Sequence, residues 1–203
     1  MAPSDDAPVA RLAEMLVHLA RSACAAEGTA PALTAAQWSA LRYFAAAQQP
    51  SCTPSAFARF HGASRGTASQ TVKALVGAGL LERHASASDR RSARFALTEA
   101  GRTALANDPL HRLVAAIATL PEASRSALQA AAVRLVWAVD AARGAPTFGL
   151  CRDCGHYRCT PRDGGWCGRH AMVLGTEDMV RLCGDFAPRE AAAPSIPVSG
   201  DAP

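Results

Sequence analysis

The 203-residue chain has no apolar run of 18 or more residues, which excludes a helical membrane span. Its first residues, Met1, Ala2, Pro3, Ser4, Asp5 and Asp6, are acidic where a secretory leader would be basic, and no short apolar core follows. The expected location is therefore the cytoplasm. Aromatic residues are scarce, at 5%, and alanine is abundant. That balance favours helices over a sheet sandwich, because alanine is the best helix former and a poor strand former. Lysine is nearly absent: Lys73 stands against 20 arginines. Genome composition alone can produce such a bias, so it carries no functional argument by itself. There is no glycine-rich phosphate loop, no nucleophile–base set and no pair of carboxylates at helical spacing, and the expectation is that the chain is not an enzyme. What remains, 49% hydrophobic and 19% charged residues in 21.1 kDa, suits one globular domain with a small appendage.

Residues 1–7 read as a loose N-terminus. Val9, Leu12, Leu16, Leu19 and Ala23 repeat every three to four positions, predicting an amphipathic helix that ends near Gly28. Thr34 with Gln37 forms a capping box, and Leu33 with Trp38 a hydrophobic staple, so a second helix starts there and runs to about Ala47. Thr53 before Pro54 opens a third, ending at His61 and Gly62. Ser64 caps a fourth, which ends between Gly77 and Gly79. The pattern then changes. Leu80 to Arg83 and Ser92 to Leu97 read as two short strands around a polar tip, a β-hairpin. Thr98 caps a further helix, interrupted at Asp108 and Pro109 and continued by Leu110, Leu113, Ile117 and Leu120. Pro121 opens the last long helix, with Leu128, Ala132, Leu135 and Val139 on one face, ending at Gly144. Trp38, Phe44, Phe57, Phe60 and Phe95 are expected in the core. No internal repeat is visible.

The fold class is therefore mainly α with a small β-hairpin wing: a winged helix-turn-helix with a helical dimerisation region and a small Cys-rich C-terminal lobe. Between residues 53 and 98 there are seven basic residues against two acidic ones. That local charge of +5 exceeds the +4 of the whole chain, so positive charge is concentrated on one supersecondary unit, as phosphate contact requires. The start of the fourth helix offers Arg65, Thr67, Ser69, Gln70 and Lys73 to a major groove. Gln70 can pair bidentately with adenine, and Arg65 with guanine or phosphate. Arg83, Arg90, Arg91 and Arg94 belong to the hairpin, whose arginine tip suits an electronegative minor groove.

The motif Ser64-x-x-Thr67-x-Ser69-x-x-Val72-x-x-Leu75-x-x-x-Gly79-Leu80-x-x-Arg83, then Asp89-Arg90-Arg91-Ser92, then Leu97-Thr98-x-x-Gly101, resembles the MarR family of transcriptional regulators. The resemblance is strong over 33–105, extends in helix layout over 8–143, and does not reach the tail. It implies a winged-helix domain over 8–144, with a DNA-reading unit at 33–98. It also implies that helices 9–27 and 103–143 interlock two subunits into a homodimer that reads palindromic double-stranded DNA. The family often takes small organic effectors between the two regions; this sequence names none.

The tail at 147–186 carries Cys151-x2-Cys154-x4-Cys159-x7-Cys167-x15-Cys183, with His156 and His170 interspersed, and 187–203 reads as disordered. In a cytoplasmic protein such cysteines are not expected to form a disulfide framework. Clustered thiolates repel one another, so a bound cation accounts for their density. Cys154, Cys167 and Cys183 each precede glycine, which is expected to let backbone N–H groups turn toward sulfur. Cys151, Cys154, Cys167 and Cys183 are the expected metal ligands, with Cys159 and His170 as alternates. Zinc fits Cys151-x2-Cys154-x12-Cys167-x2-His170. The wide single spacings favour an iron–sulfur cluster. A metal-free thiol switch is the third reading. The function expected is a dimeric MarR-type repressor whose operator binding responds to this centre. The alternatives are an effector-controlled regulator with a structural zinc lobe, an architectural DNA binder and, more distantly, a thiol redox protein. Cys24 and Cys52 read as inert residues of the helical body.

Overall fold

The computed structural model describes residues 7–24, 33–85, 93–160 and 164–189. Among these residues the body contains α1 (Ala7–Cys24), α2 (Ala35–Ala46), α3 (Pro54–His61), α4 (Arg65–Gly77), β1 (Leu81–Ala85), β2 (Ala93–Leu97), α5 (Glu99–Ala106), α6 (His111–Ala118) and α7 (Glu122–Ala142). The tail contains β3 (Gly149–Leu150), β4 (Tyr157–Thr160), β5 (Gly164–Cys167), β6 (Met172–Leu174) and β7 (Leu182–Cys183). No helix among the described residues is long and apolar enough to cross a membrane.

The helix starts follow from local chemistry. Thr34 Oγ1 accepts from the Gln37 N–H at 3.3 Å, while Gln37 Oε1 accepts from the Thr34 N–H at 2.8 Å. Thr53 takes the Ala56 N–H at 3.2 Å, Ser64 the Thr67 N–H at 3.1 Å and Thr98 the Gly101 N–H at 3.0 Å. Each bond satisfies an N–H that the first helical turn leaves without a partner. α3 stops at Gly62, whose φ of +68° an L side chain adopts only with strain. The expected end of the first helix near Gly28 and the wing tip with Arg90 and Arg91 lie outside the described residues.

The core is built around α2. Trp38, Leu41, Tyr43 and Phe44 meet Phe57 of α3, Ala68, Val72 and Leu75 of α4, and Leu81 and Leu97 of the hairpin. The strands pair antiparallel with Leu81 opposite Leu97. The Phe95 N–H donates to the Cys52 carbonyl at 2.9 Å, which ties the outer edge of β2 to the α2–α3 connection. Phe95 is half-buried against the core, but Phe60 is 40% exposed and is not a core residue. It follows Phe57 by three positions, yet its ring sits at the margin, against Tyr43 and Phe148.

Gly101 shows why the Leu97-Thr98-x-x-Gly101 pattern needs glycine. A Cβ there would collide with the Leu80 carbonyl oxygen, a backbone atom that cannot swing aside. Gly101→Ala is therefore expected to destabilise the body by about 1–3 kcal/mol, despite alanine's better helix propensity. Denaturant unfolding checks this; an unchanged or higher midpoint would refute it.

α1 and α7 are exposed along most of their length, with Leu12, Met15, Leu16, Leu135, Val136 and Val139 open to solvent. In the tail, β3 pairs with β7, and β4-β5-β6 form an antiparallel meander. Its small core holds Cys151, Cys154, Cys167, Leu174, Cys183 and Phe186. Two boundaries move from the expected ones. Phe148, which falls inside the expected tail at 147–186, is buried instead in the body core. Ala187 and Pro188 do not belong to an unstructured end: Pro188 forms an isolated bridge with Cys154, and the Ala187 carbonyl accepts from the Gly155 N–H at 2.8 Å.

Candidate functional site

α4 is amphipathic in a way that leaves one face for a partner. Ala68, Val72 and Leu75 are buried against the body, whereas Arg65, Thr67, Ser69, Gln70 and Lys73 are exposed. Ser69, Gln70 and Lys73, at three- to four-residue spacing, lie on the side opposite the buried stripe. Arg65 is the first helical residue after the Ser64 cap. Thr67 differs from the others, because its hydroxyl lies 2.9 Å from the Ser64 hydroxyl and belongs to the cap. On the hairpin, Arg83 is exposed and Arg94 half-buried, and Arg94 faces His84 across the ladder. The helix and hairpin thus present positive and polar side chains to a partner. Such groups can contact phosphates and base edges.

The second constellation is the thiol cluster. All seven cysteines are free. Cys151, Cys154, Cys167 and Cys183 are buried in one core. Cys159 is exposed and donates its S–H to the Thr160 carbonyl, away from the cluster. His170 Nε2 stands 4.0 Å from Cys183 Sγ and 3.3 Å from Asp185 Oδ2. Burial, with Cys183 and the other two thiols close by, pushes the Cys151 thiol up to about 12, while the Gln48 amide pulls the other way. Burial also raises Cys183. Among the described residues no group of three or more His, Cys, Asp or Glu side chains stands in a metal-holding arrangement.

The glycines after cysteine do not aim their N–H groups at sulfur. The Gly155 N–H goes to the Ala187 carbonyl, the Gly168 N–H to the His156 carbonyl and the Gly184 N–H to Ser51 Oγ. Backbone donors from other positions do reach thiols: the Ala187 N–H lies 3.5 Å from Cys154 Sγ, and the Asp185 backbone N–H bonds to Cys183. The glycines serve turns and close packing in the lobe instead.

The residues that sequence reasoning missed join the two constellations. The connection Gln48–Cys52 between α2 and α3 touches the lobe at Gln48 and Ser51. The Gln48 N–H donates to the Leu182 carbonyl at 2.6 Å, and Ala47 bridges Leu182. Ser51 Oγ accepts the Gly184 N–H at 2.9 Å, and the Ser51 carbonyl accepts the Tyr43 hydroxyl at 2.8 Å. Gln48 Nε2 reaches Cys151 Sγ at 3.9 Å. No local signal predicts the contacts with the lobe, because their partners lie more than a hundred positions apart.

This architecture is a winged helix with an added thiol-rich lobe. It shares its fold with the transcriptional regulator SlyA, at a TM-score of 0.52 and 22% identity over 66% of this chain and 95% of that one. A MarR/EmrR family transcriptional regulator from Acinetobacter sp. ADP1 gives a TM-score of 0.54 and 19% identity over 68% of this chain and 99% of that one. Residues 33–92, the reading unit without β2, match the model of the MarR family. No curated protein sequence matches the chain.

Proposed function

We propose that the protein is a MarR-type transcriptional regulator that binds palindromic double-stranded DNA as a homodimer. In this reading α4 lies in the major groove and the β1–β2 hairpin against the minor groove. The observation that carries it is the exposed face of α4, with Ser69, Gln70 and Lys73 opposite a buried Ala68, Val72 and Leu75 and Arg65 exposed at the helix start, beside a basic hairpin. The match of 33–92 to the MarR family supports it. The exposed apolar faces of α1 and α7 support the dimer, since a second copy would remove them from water. The proposal extends to the lobe: Cys151, Cys154, Cys167 and Cys183 hold a thiophilic metal centre, zinc or an iron–sulfur cluster, whose state alters operator affinity. Four unbridged thiols share one small core, and sulfur lies about 2.3 Å from a bound zinc, so an ion would draw them inward by side-chain rotation. Brown protein with iron and sulfide after anaerobic purification identifies a cluster; colourless protein with one zinc identifies the other.

The reading mode has its own test. Gln70→Ala is expected to cost about 1–3 kcal/mol on the preferred operator and to relax base preference at one position. Arg91→Ala is expected to weaken all sequences alike and to reduce the salt slope by about 1. Gel shifts at several salt concentrations check both, with sedimentation confirming the dimer. Unchanged affinity in both variants, or a species of only 21.1 kDa throughout, would overturn the reading.

A further inference from the structure

Resting on the regulator reading above, we propose that Gln48 is a positioning residue of the thiolate centre and that the Gln48–Cys52 connection carries metal occupancy to the wing. Three polar side chains are buried among the described residues, Gln48, Ser51 and Asp108, and two of them sit in this one turn. Buried polar groups persist where their hydrogen bonds are made, and each of these two makes one with the lobe.

Gln48 is 2% exposed. Its Oε1 accepts the Gln49 N–H at 3.0 Å, which fixes the amide and leaves Nε2 directed at Cys151 Sγ. An N–H donor at sulfur favours the ligating thiolate over the thiol, and outer partners of this kind tune both the affinity and the electronic character of a metal site. The Ala187 N–H does the same for Cys154 from within the lobe. Gln48 differs in coming from the reader, so the body itself contributes a group to the centre.

The backbone repeats the link. Leu182 and Gly184, on either side of Cys183, are held by Gln48 and Ser51. One residue further on, the Cys52 carbonyl holds the Phe95 N–H of β2. Five consecutive residues therefore run from the cluster to the wing. A metal that fixes Cys151 and Cys183 restricts this segment and with it the edge of β2. A wing already held in place binds DNA without that ordering cost, so the loaded dimer is the tighter binder.

The test uses the full-length protein, stripped and then loaded with Co2+, whose thiolate charge-transfer absorption reports the ligand sulfurs. Gln48→Met keeps the volume and removes the donor. It is expected to shift that band and to weaken Co2+ binding about 10–100-fold. Gln48→Glu, which retains an acceptor for Gln49, should do the same, and Cys159→Ser should change neither. Loaded wild type should bind operator about 5–150-fold more tightly than stripped, a ratio that falls toward one in Gln48→Met. Thermal unfolding and dimer content verify that each variant is folded. A thiolate band and affinity unchanged in both Gln48 variants overturn the role of Gln48. Equal DNA affinity of loaded and stripped wild type, or tighter binding by the stripped form, overturns the coupling. No thiolate band in wild type overturns the metal reading itself, and with it this proposal.

Discussion

Replacing Phe148 by alanine is expected to destabilise the body by about 3–5 kcal/mol, the range for truncating a buried phenylalanine. The ring lies six residues past the end of the last helix, yet it is 7% exposed and belongs to the same core as Trp38 and Phe57. It packs edge-on against Tyr43 and Phe60, with centroids 6.3 and 5.2 Å apart. Tyr43 is also the residue whose hydroxyl holds the Ser51 carbonyl, so the cavity would open beside the connection on which the lobe is seated. The effect should be double: a lower unfolding midpoint, and faster proteolysis between the body and the lobe in the native state. Val173→Ala is the control. That residue is 73% exposed on β6, and its loss should stay within about 0.5 kcal/mol. A Phe148→Ala loss no larger than the control would mean that the lobe merely hangs from α7.

What the sequence made legible was local. The Thr34–Gln37 box, the Thr53–Pro54 start, the Ser64 and Thr98 caps and the break at Asp108 and Pro109 all depend on residues within four positions of one another, and each stands where it was expected. The hairpin followed from alternation bounded by polar residues, and the β1–β2 pairing has that form. The lobe was legible only as a density of cysteines. Its strands are two to four residues long, too short for a period to register, and its seat on the body is set by Phe148, Gln48 and Ser51. A buried glutamine and serine read as ordinary turn residues until their partners arrive from the other end of the chain. The same holds for Gly155, Gly168 and Gly184, whose glycine identity says that the backbone turns but not toward what.

Removing the Asp108 carboxylate should have a comparable effect, at a different joint. Arg42 of α2 donates to both Asp108 oxygens at 2.6 Å, and the carboxylate also accepts the Leu110 N–H at 2.8 Å, where the chain passes from α5 to α6. Arg42 reaches further, to Cys24 Sγ at the end of α1, 4.0 Å away. One ion pair thus ties the reading unit to the helices proposed to join two subunits. The side chains are 6% exposed for Asp108 and 23% for Arg42, so Asp108→Ala leaves a largely buried guanidinium unpaired. Losing one partner of a buried pair costs about 3–5 kcal/mol, and the residual exposure of Arg42 places this variant at the lower end. Replacing both, as Arg42→Met with Asp108→Leu, should cost less than the two single changes added together, because no charge is then left without its partner.

Acid should expose the same bond. Burial alone would push the Asp108 carboxyl up, but the Arg42 hydrogen bonds, the Leu110 N–H and the Arg42 charge outweigh it, with His111 acting in the same sense. They hold the group below the usual carboxylate range. A folded-state value below the unfolded one means that the pair's contribution is complete above about pH 4 and is lost as pH falls through the folded value. The wild-type unfolding midpoint should therefore fall more steeply below about pH 4 than that of the double variant. Parallel acid limbs would show that the carboxylate is not held by Arg42, and that some other contact joins α2 to the α5–α6 corner.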